Sequence, residues 1–157
     1  MVYLIGGRHD IQFDPGPHPS KIVRDKRASF KAHVLKVIET LGISILAEEF
    51  SDEAKELWGV SESTLEQLAN AKGIEHRFCD PTPVQREENG IEQSDSDKRE
   101  QFWLSRIQDC KSRNILFVCG SDHVEAFGKK LIAAGFDVEH GPRWRISDEE
   151  DWATYGL

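Results

Sequence analysis

Every position of the run Ile115-Leu116-Phe117-Val118-Cys119 is apolar. A strand with one face in water alternates apolar and polar side chains, so a run without alternation belongs in a sheet covered on both faces. Val2-Tyr3-Leu4-Ile5 opens the chain with a second such run. A third, Ile43-Ser44-Ile45-Leu46-Ala47, ends in Glu48-Glu49-Phe50. Helix-length segments separate these runs, which implies a mostly parallel sheet with crossover helices on both faces.

The first strand covers Val2 to Gly6. Arg27 to Thr40 is predicted helical, because Phe30, Val34, Ile38 and Leu41 recur three or four apart and Gly42 stops the pattern. Ile43 to Phe50 is the second strand. Ser63 to Lys72 is a second helix, with Ser63-Thr64-Leu65-Glu66 as a capping box and Gly73 as terminator. Ile74 to Asp80 is the third strand, and the stretch from Pro81 to Ser96 is too rich in proline and charge to be core. Lys98 to Lys111 is a helix with Trp103, Ile107 and Cys110 on one stripe. Ile115 to Gly120 is the fourth strand, Asp122 to Ala134 a helix presenting Val124, Phe127 and Leu131, and Phe136 to Glu139 a short fifth strand at the sheet edge.

The expected fold is therefore α/β, a three-layer, mostly parallel open sheet of about five strands with helices on both faces. It forms one domain over residues 1–141. An acidic tail over 142–157 carries Trp144, Trp152 and Tyr155, aromatics that pack on the domain or on a neighbouring copy. Right-handed crossovers suggest a doubly wound strand order of 3-2-1-4-5. That order sets the first strand beside the fourth, with the topological switch between them.

Those two strands end alike. Gly6-Gly7-Arg8-His9 follows the first and Gly120-Ser121-Asp122-His123 the fourth, so each delivers an imidazole just beyond the carboxyl edge of the sheet. Ligands bind at that edge in open α/β sheets. A neutral imidazole binds a transition metal or moves protons near neutral pH. The glycine before each histidine allows close backbone approach or positive φ at the strand exit. The bland reading is that both histidines only hydrogen-bond loop carbonyls; the repeated context favours a chemical site.

Glu48 and Glu49 end the second strand, beside the first in the expected order. Successive strand residues face opposite ways, so one of the two looks into the site, and Glu48 is preferred. A carboxylate there ligates a metal, orients a histidine or acts as general base. Arg8 is the candidate for gripping an anion or stabilising developing negative charge. Gly7, Arg77, Asp80 and Ser121 are candidate substrate contacts, and Asp122 a candidate ligand alongside His9, His123 and Glu48. Two loops, His9 to Lys26 and Pro81 to Ser96, exceed the usual ~2–6 residues and leave the same rim, as lids would.

Net charge is −8, which disfavours duplex nucleic acid and an anionic membrane surface as partners. No apolar run approaches the ~20 residues of a membrane span, and no signal sequence follows Met1, so the expected location is cytoplasmic. Cys79, Cys110 and Cys119 lack CxxC spacing and read as reduced, mostly buried thiols. There is no GxGxxG, no GxxxxGK[ST] and no GxSxG.

The ordered set comprising Gly6 with His9, Glu48 or Glu49, Arg77 and Asp80, and Gly120 with His123 resembles the superfamily containing erythromycin esterase, ChaN, the TraB/PrgY proteins and the TIKI proteases. The resemblance implies a hydrolytic site built from the two histidines and the glutamate, with a divalent metal in some members and none in erythromycin-esterase-like ones. This chain is much shorter and has little room for the helical insertions of that superfamily. The expectation is a small hydrolase acting on a small-molecule, ester or short-peptide substrate. Its site of two histidines and one carboxylate would activate water directly or on one Mn, Fe, Co, Ni or Zn ion. The alternative is a non-catalytic module that binds a small anion or nucleotide with the glycine turns and Arg8. A third reading is an interaction domain that self-associates through the tail.

Overall fold

The computed structural model describes residues 1–7 and 21–140. In chain order the elements are β1 (Val2–Gly7), α1 (Lys21–Leu41), β2 (Ile45–Glu48), α2 (Asp52–Trp58), α3 (Thr64–Lys72), β3 (Glu75–Phe78), α4 (Pro83–Asn89), α5 (Ser96–Ile107), β4 (Ile115–Gly120), α6 (Val124–Ala133) and β5 (Val138–His140). Single turns of 3-10 helix cover Gln108–Cys110 and Ser121–His123. Arg8, His9, the rest of the first long loop as far as residue 20, and the Trp-bearing tail lie outside the described residues.

All six residues of β4 are buried, and this strand takes the centre of a five-stranded sheet ordered β3-β2-β4-β1-β5. Every pairing is parallel. Consecutive sheet residues divide between two cores. Val2, Leu4, Ile45, Ala47, Ile115, Phe117 and Cys119 face Trp103 and Ile107 of α5 and Phe127 and Leu131 of α6. Ile5, Leu46, Leu116 and Val118 face Phe30, Val34, Val37 and Ile38 of α1 and Leu65, Leu68 and Ala69 of α3. The result is a three-layer α/β fold, as the unalternating strands require.

The order differs from 3-2-1-4-5 in one respect: β4, not β1, lies against β2. β4 is the more apolar strand, whereas β1 leaves Tyr3 and Gly6 partly exposed, so β4 gains more from the central place. Helix α1 has 21 residues and is ~31 Å long, enough to carry the chain from β1 across β4 to β2. The change adds a topological switch. The chain leaves β1 and β2 toward α1 and α3 in one layer and β4 toward α6 in the other, so β4 keeps the expected switch with β1 and gains a second with β2, where a crevice opens at the carboxyl edge. Adjacency of β1 and β4 holds as expected, with Gly7 opposite Gly120.

Two further departures are local. The polar stretch after β3 is not a bare loop. Thr82 and Gln85 form a capping box, Pro83 occupies the first turn and Gly90 closes α4 at φ 60°, although none of its residues is buried. Local capping without an apolar stripe makes this helix, so hydrophobic periodicity misses it. Helix α2 escapes for the same reason, held by a Ser51 cap and a left-handed Gly59. The capping box at Ser63 and the stop at Gly73 are as expected. Among the described residues no helix is long and apolar enough to cross a membrane.

Gly6 is required by close approach rather than by positive φ. A Cβ built there would lie 2.8 Å from Val124 Cγ2 and 3.0 Å from the Ser121 Cα. Gly6→Ala is expected to destabilise by about 1–3 kcal/mol through overpacking, read as a lower urea midpoint. Adding Val124→Ala should recover only part of the loss, because the Ser121 backbone cannot be trimmed.

Candidate active site

Glu49 follows the last residue of β2 and lies beside the exit of β4. Its Oε2 accepts from the Gly120 backbone N–H at 2.7 Å, and its Oε1 accepts from Arg99 Nη2 at 2.6 Å. Arg99 also donates from Nε and Nη2 to Asp80 Oδ1, at 2.9 and 2.8 Å. The indole N–H of Trp103 reaches the same oxygen at 2.9 Å, and Arg86 stands 3.6 Å from Asp80 Oδ2. One guanidinium thus clamps carboxylates from the ends of β2 and β3. Burial alone pushes the Arg99 pKa down, but Asp80 and Glu49 outweigh it and hold the group above its ordinary value.

His123 sits in the 3-10 turn that follows β4. Its Nδ1 bonds Glu100 Oε1 at 2.7 Å, and its ring meets the edge of Trp103 with centroids 4.9 Å apart. A carboxylate oxygen accepts, so Nδ1 carries the proton and Nε2 keeps its lone pair in the neutral ring. Glu100 is fixed in turn by Lys130, which donates to Oε2 at 2.6 Å. His123 Nε2 stands 3.7 Å from Glu49 Oε1, too far for a direct hydrogen bond. Two proton acceptors from adjacent strands therefore face each other across the crevice.

Glu48 faces the other layer. Its Oε1 accepts from the Ser63 hydroxyl and bonds His76 Nε2 at 2.7 Å, and it does not meet His123. The strand alternation that admits only one of the two glutamates selects Glu49, contrary to the preference for Glu48. Arg77, on the edge strand, also lies away from the crevice, paired with Glu75 of the same strand and with Asp109 of the 3-10 turn after α5. Asp80 is at the crevice, held by Arg99. Gly7 ends β1 beside Gly120. Among the described residues the Ser121 hydroxyl donates to Oδ1 of its neighbour Asp122, at 3.5 Å, and Asp122 is exposed.

Arg99, Glu100 and Lys130 were not singled out from the sequence. The signal lay in α5: Arg99 and Glu100 are four and three residues before Trp103 and so share its apolar stripe. Both are buried, which demands partners.

Among the described residues no group of three His, Cys, Asp or Glu side chains is placed to hold a metal ion. The proposed ligand set of His9, His123, Glu48 and Asp122 does not converge within them: Glu48 faces the opposite layer from His123. Nor do the crevice carboxylates suit a cation, since Arg99 already bonds the Glu49 oxygen nearest His123.

The thiols are buried and free. Burial pushes the Cys79 pKa up to about 12, and burial with Glu49 and Glu100 nearby pushes Cys119 well above its ordinary value. Neither is poised as a nucleophile. Iodoacetamide at pH 8 should label Cys79 and Cys119 only after denaturation, as mass spectrometry would show. The linkage has a definite sign. A folded-state pKa above the unfolded ~8.5 leaves stability full below that pH and erodes it as pH rises toward the folded value.

Comparisons of the chain with protein-family models, with curated proteins and with solved structures find no match.

Proposed function

We propose that this protein is a hydrolase whose site is the crevice between β2 and β4, with His123 as general base and Glu49 as its partner in orienting water. The observation that carries the proposal is the pairing of His123 Nε2 with Glu49 Oε1 at 3.7 Å, behind an Nδ1 anchored by Glu100. A water donating one proton toward Nε2 and the other toward Glu49 would be oriented for attack. As it attacks an ester, amide or phosphoester centre, its proton passes to Nε2, and His123 returns that proton to the leaving group. Arg99 does not enter the reaction; it holds Glu49 and Asp80 in place. By the sequence argument, Arg8 takes the charge that develops on the substrate and His9 completes the two-histidine set. Both follow β1, which pairs with β4, and both lie outside the described residues.

The described donors favour direct water activation over a metal. A metal-assisted form of the same hydrolysis would rest on His9 and His123, with Mn, Fe, Co, Ni or Zn as candidate ions.

The test is a panel of aryl esters, short peptides and phosphoesters, run with wild type, His9→Ala and His123→Ala, with elemental analysis of each untagged protein. Turnover lost in His123→Ala without stoichiometric metal is the expected result. Metal lost together with activity in both variants would establish the metal route. Anion binding without turnover would replace the hydrolase with the binding module.

A further inference from the structure

A second group of residues lies away from the crevice. β3 is the sheet edge, and a cleft of about 780 Å³ runs across it, lined among others by His76, Phe78, Phe102 and Arg106. Neither Glu49, Arg99 nor His123 lines it. At its floor, His76 Nε2 is 2.7 Å from Glu48 Oε1, the oxygen that also takes the Ser63 hydroxyl proton. That oxygen accepts, so the ring donates from Nε2 and presents Nδ1 as the basic nitrogen. Nδ1 has no hydrogen-bond partner among the described residues and is not sealed from solvent. Glu48 is fully buried, and its Oε2 has no partner among the described residues. Its carboxylate therefore orients the His76 ring from behind.

The charges around the cleft are unevenly spent. Arg77 is bound to Glu75 and Asp109, Glu75 also to Arg113, and Asp52 to Lys55. Arg106 uses only its backbone carbonyl, as acceptor for Arg77, and its guanidinium forms no hydrogen bond or ion pair among the described residues. Among its described residues the cleft thus offers one uncommitted cation, one proton acceptor and the Phe102 ring; the Phe78 ring already carries Lys55 at 4.7 Å and His76 at 4.4 Å.

We propose that the β3-edge cleft is a second ligand site, for a small aromatic carboxylate that bears a hydroxyl on the far side of its ring. The anionic group meets Arg106, the hydroxyl donates to His76 Nδ1, and the ring lies against Phe102. The strand β2 then serves two sites through adjacent residues, Glu49 at the crevice and Glu48 behind the cleft.

The test is a titration followed by nitrogen-15 NMR of the His76 ring and Arg106 side chain, with 3- and 4-hydroxybenzoate as probes. Benzoate lacks the hydroxyl, and 4-hydroxybenzyl alcohol lacks the charge. At least one hydroxybenzoate is expected to shift both side chains with Kd near ~1 mM, with both controls weaker. Arg106→Ala, at an exposed position, should weaken that binding about tenfold, while His123→Ala leaves it unchanged. No shift at His76 and Arg106 with either acid up to ~10 mM, or equal binding by Arg106→Ala, overturns the proposal.

Discussion

Arg99→Met is expected to cost about 3–5 kcal/mol of folding stability. Arg99 is only 8% exposed, and it is the residue on which Glu49 and Asp80 converge. Removing it leaves buried Glu49 and part-buried Asp80 beside each other without the guanidinium they share, Arg86 at 3.6 Å being the more distant cation on Asp80. Methionine fills much of the volume, so the loss reflects charge rather than a cavity. Against a typical domain stability of ~5–15 kcal/mol this is a large fraction, and urea denaturation resolves it readily. Adding Glu49→Gln and Asp80→Asn to Arg99→Met should recover stability, because the stranded charges are then gone. A loss below ~1 kcal/mol would mean that water, not Arg99, satisfies these carboxylates.

The largest effect on rate is expected at His123. His123→Ala should lower kcat by ~10²–10⁴, the usual worth of a positioned general base. Glu100→Gln keeps the imidazole and weakens only its anchor, so a smaller fall of ~10–100-fold is expected, mainly in kcat. A change in KM alone for either variant would assign these residues to substrate binding. Circular dichroism and urea midpoints must accompany the rates, since Lys130 also depends on Glu100 for its raised pKa. Burial lowers that pKa, and Glu100 and Asp97 more than restore it.

The layers of the fold were legible because the strands of this sheet do not alternate. Ile115–Gly120 needed cover on both sides, and that requirement alone implied helices in two layers. Strand order was not legible, since β1 fits either beside β2 or beyond β4, and helix length permits both. The helices at Pro83 and Asp52 depend on caps rather than burial, so a search for apolar stripes passes over them. The sequence singled out the β4 exit and the Glu48-Glu49 pair and preferred Glu48, whereas Glu49 is the member that faces His123. One residue of register decides which glutamate faces α5, and the strand end does not reveal it. Arg99 and Glu100 were passed over; only their spacing to Trp103, weighed as a demand for buried partners, marks them.

The most direct test of the central claim is chemical rescue of a His123→Gly variant with added imidazole, on the best substrate of the hydrolysis panel. If His123 is the base, the variant is nearly inactive and imidazole restores turnover saturably, without changing the urea midpoint. Turnover that persists in His123→Gly, or a folded variant that imidazole fails to restore while the wild type remains active, would contradict it.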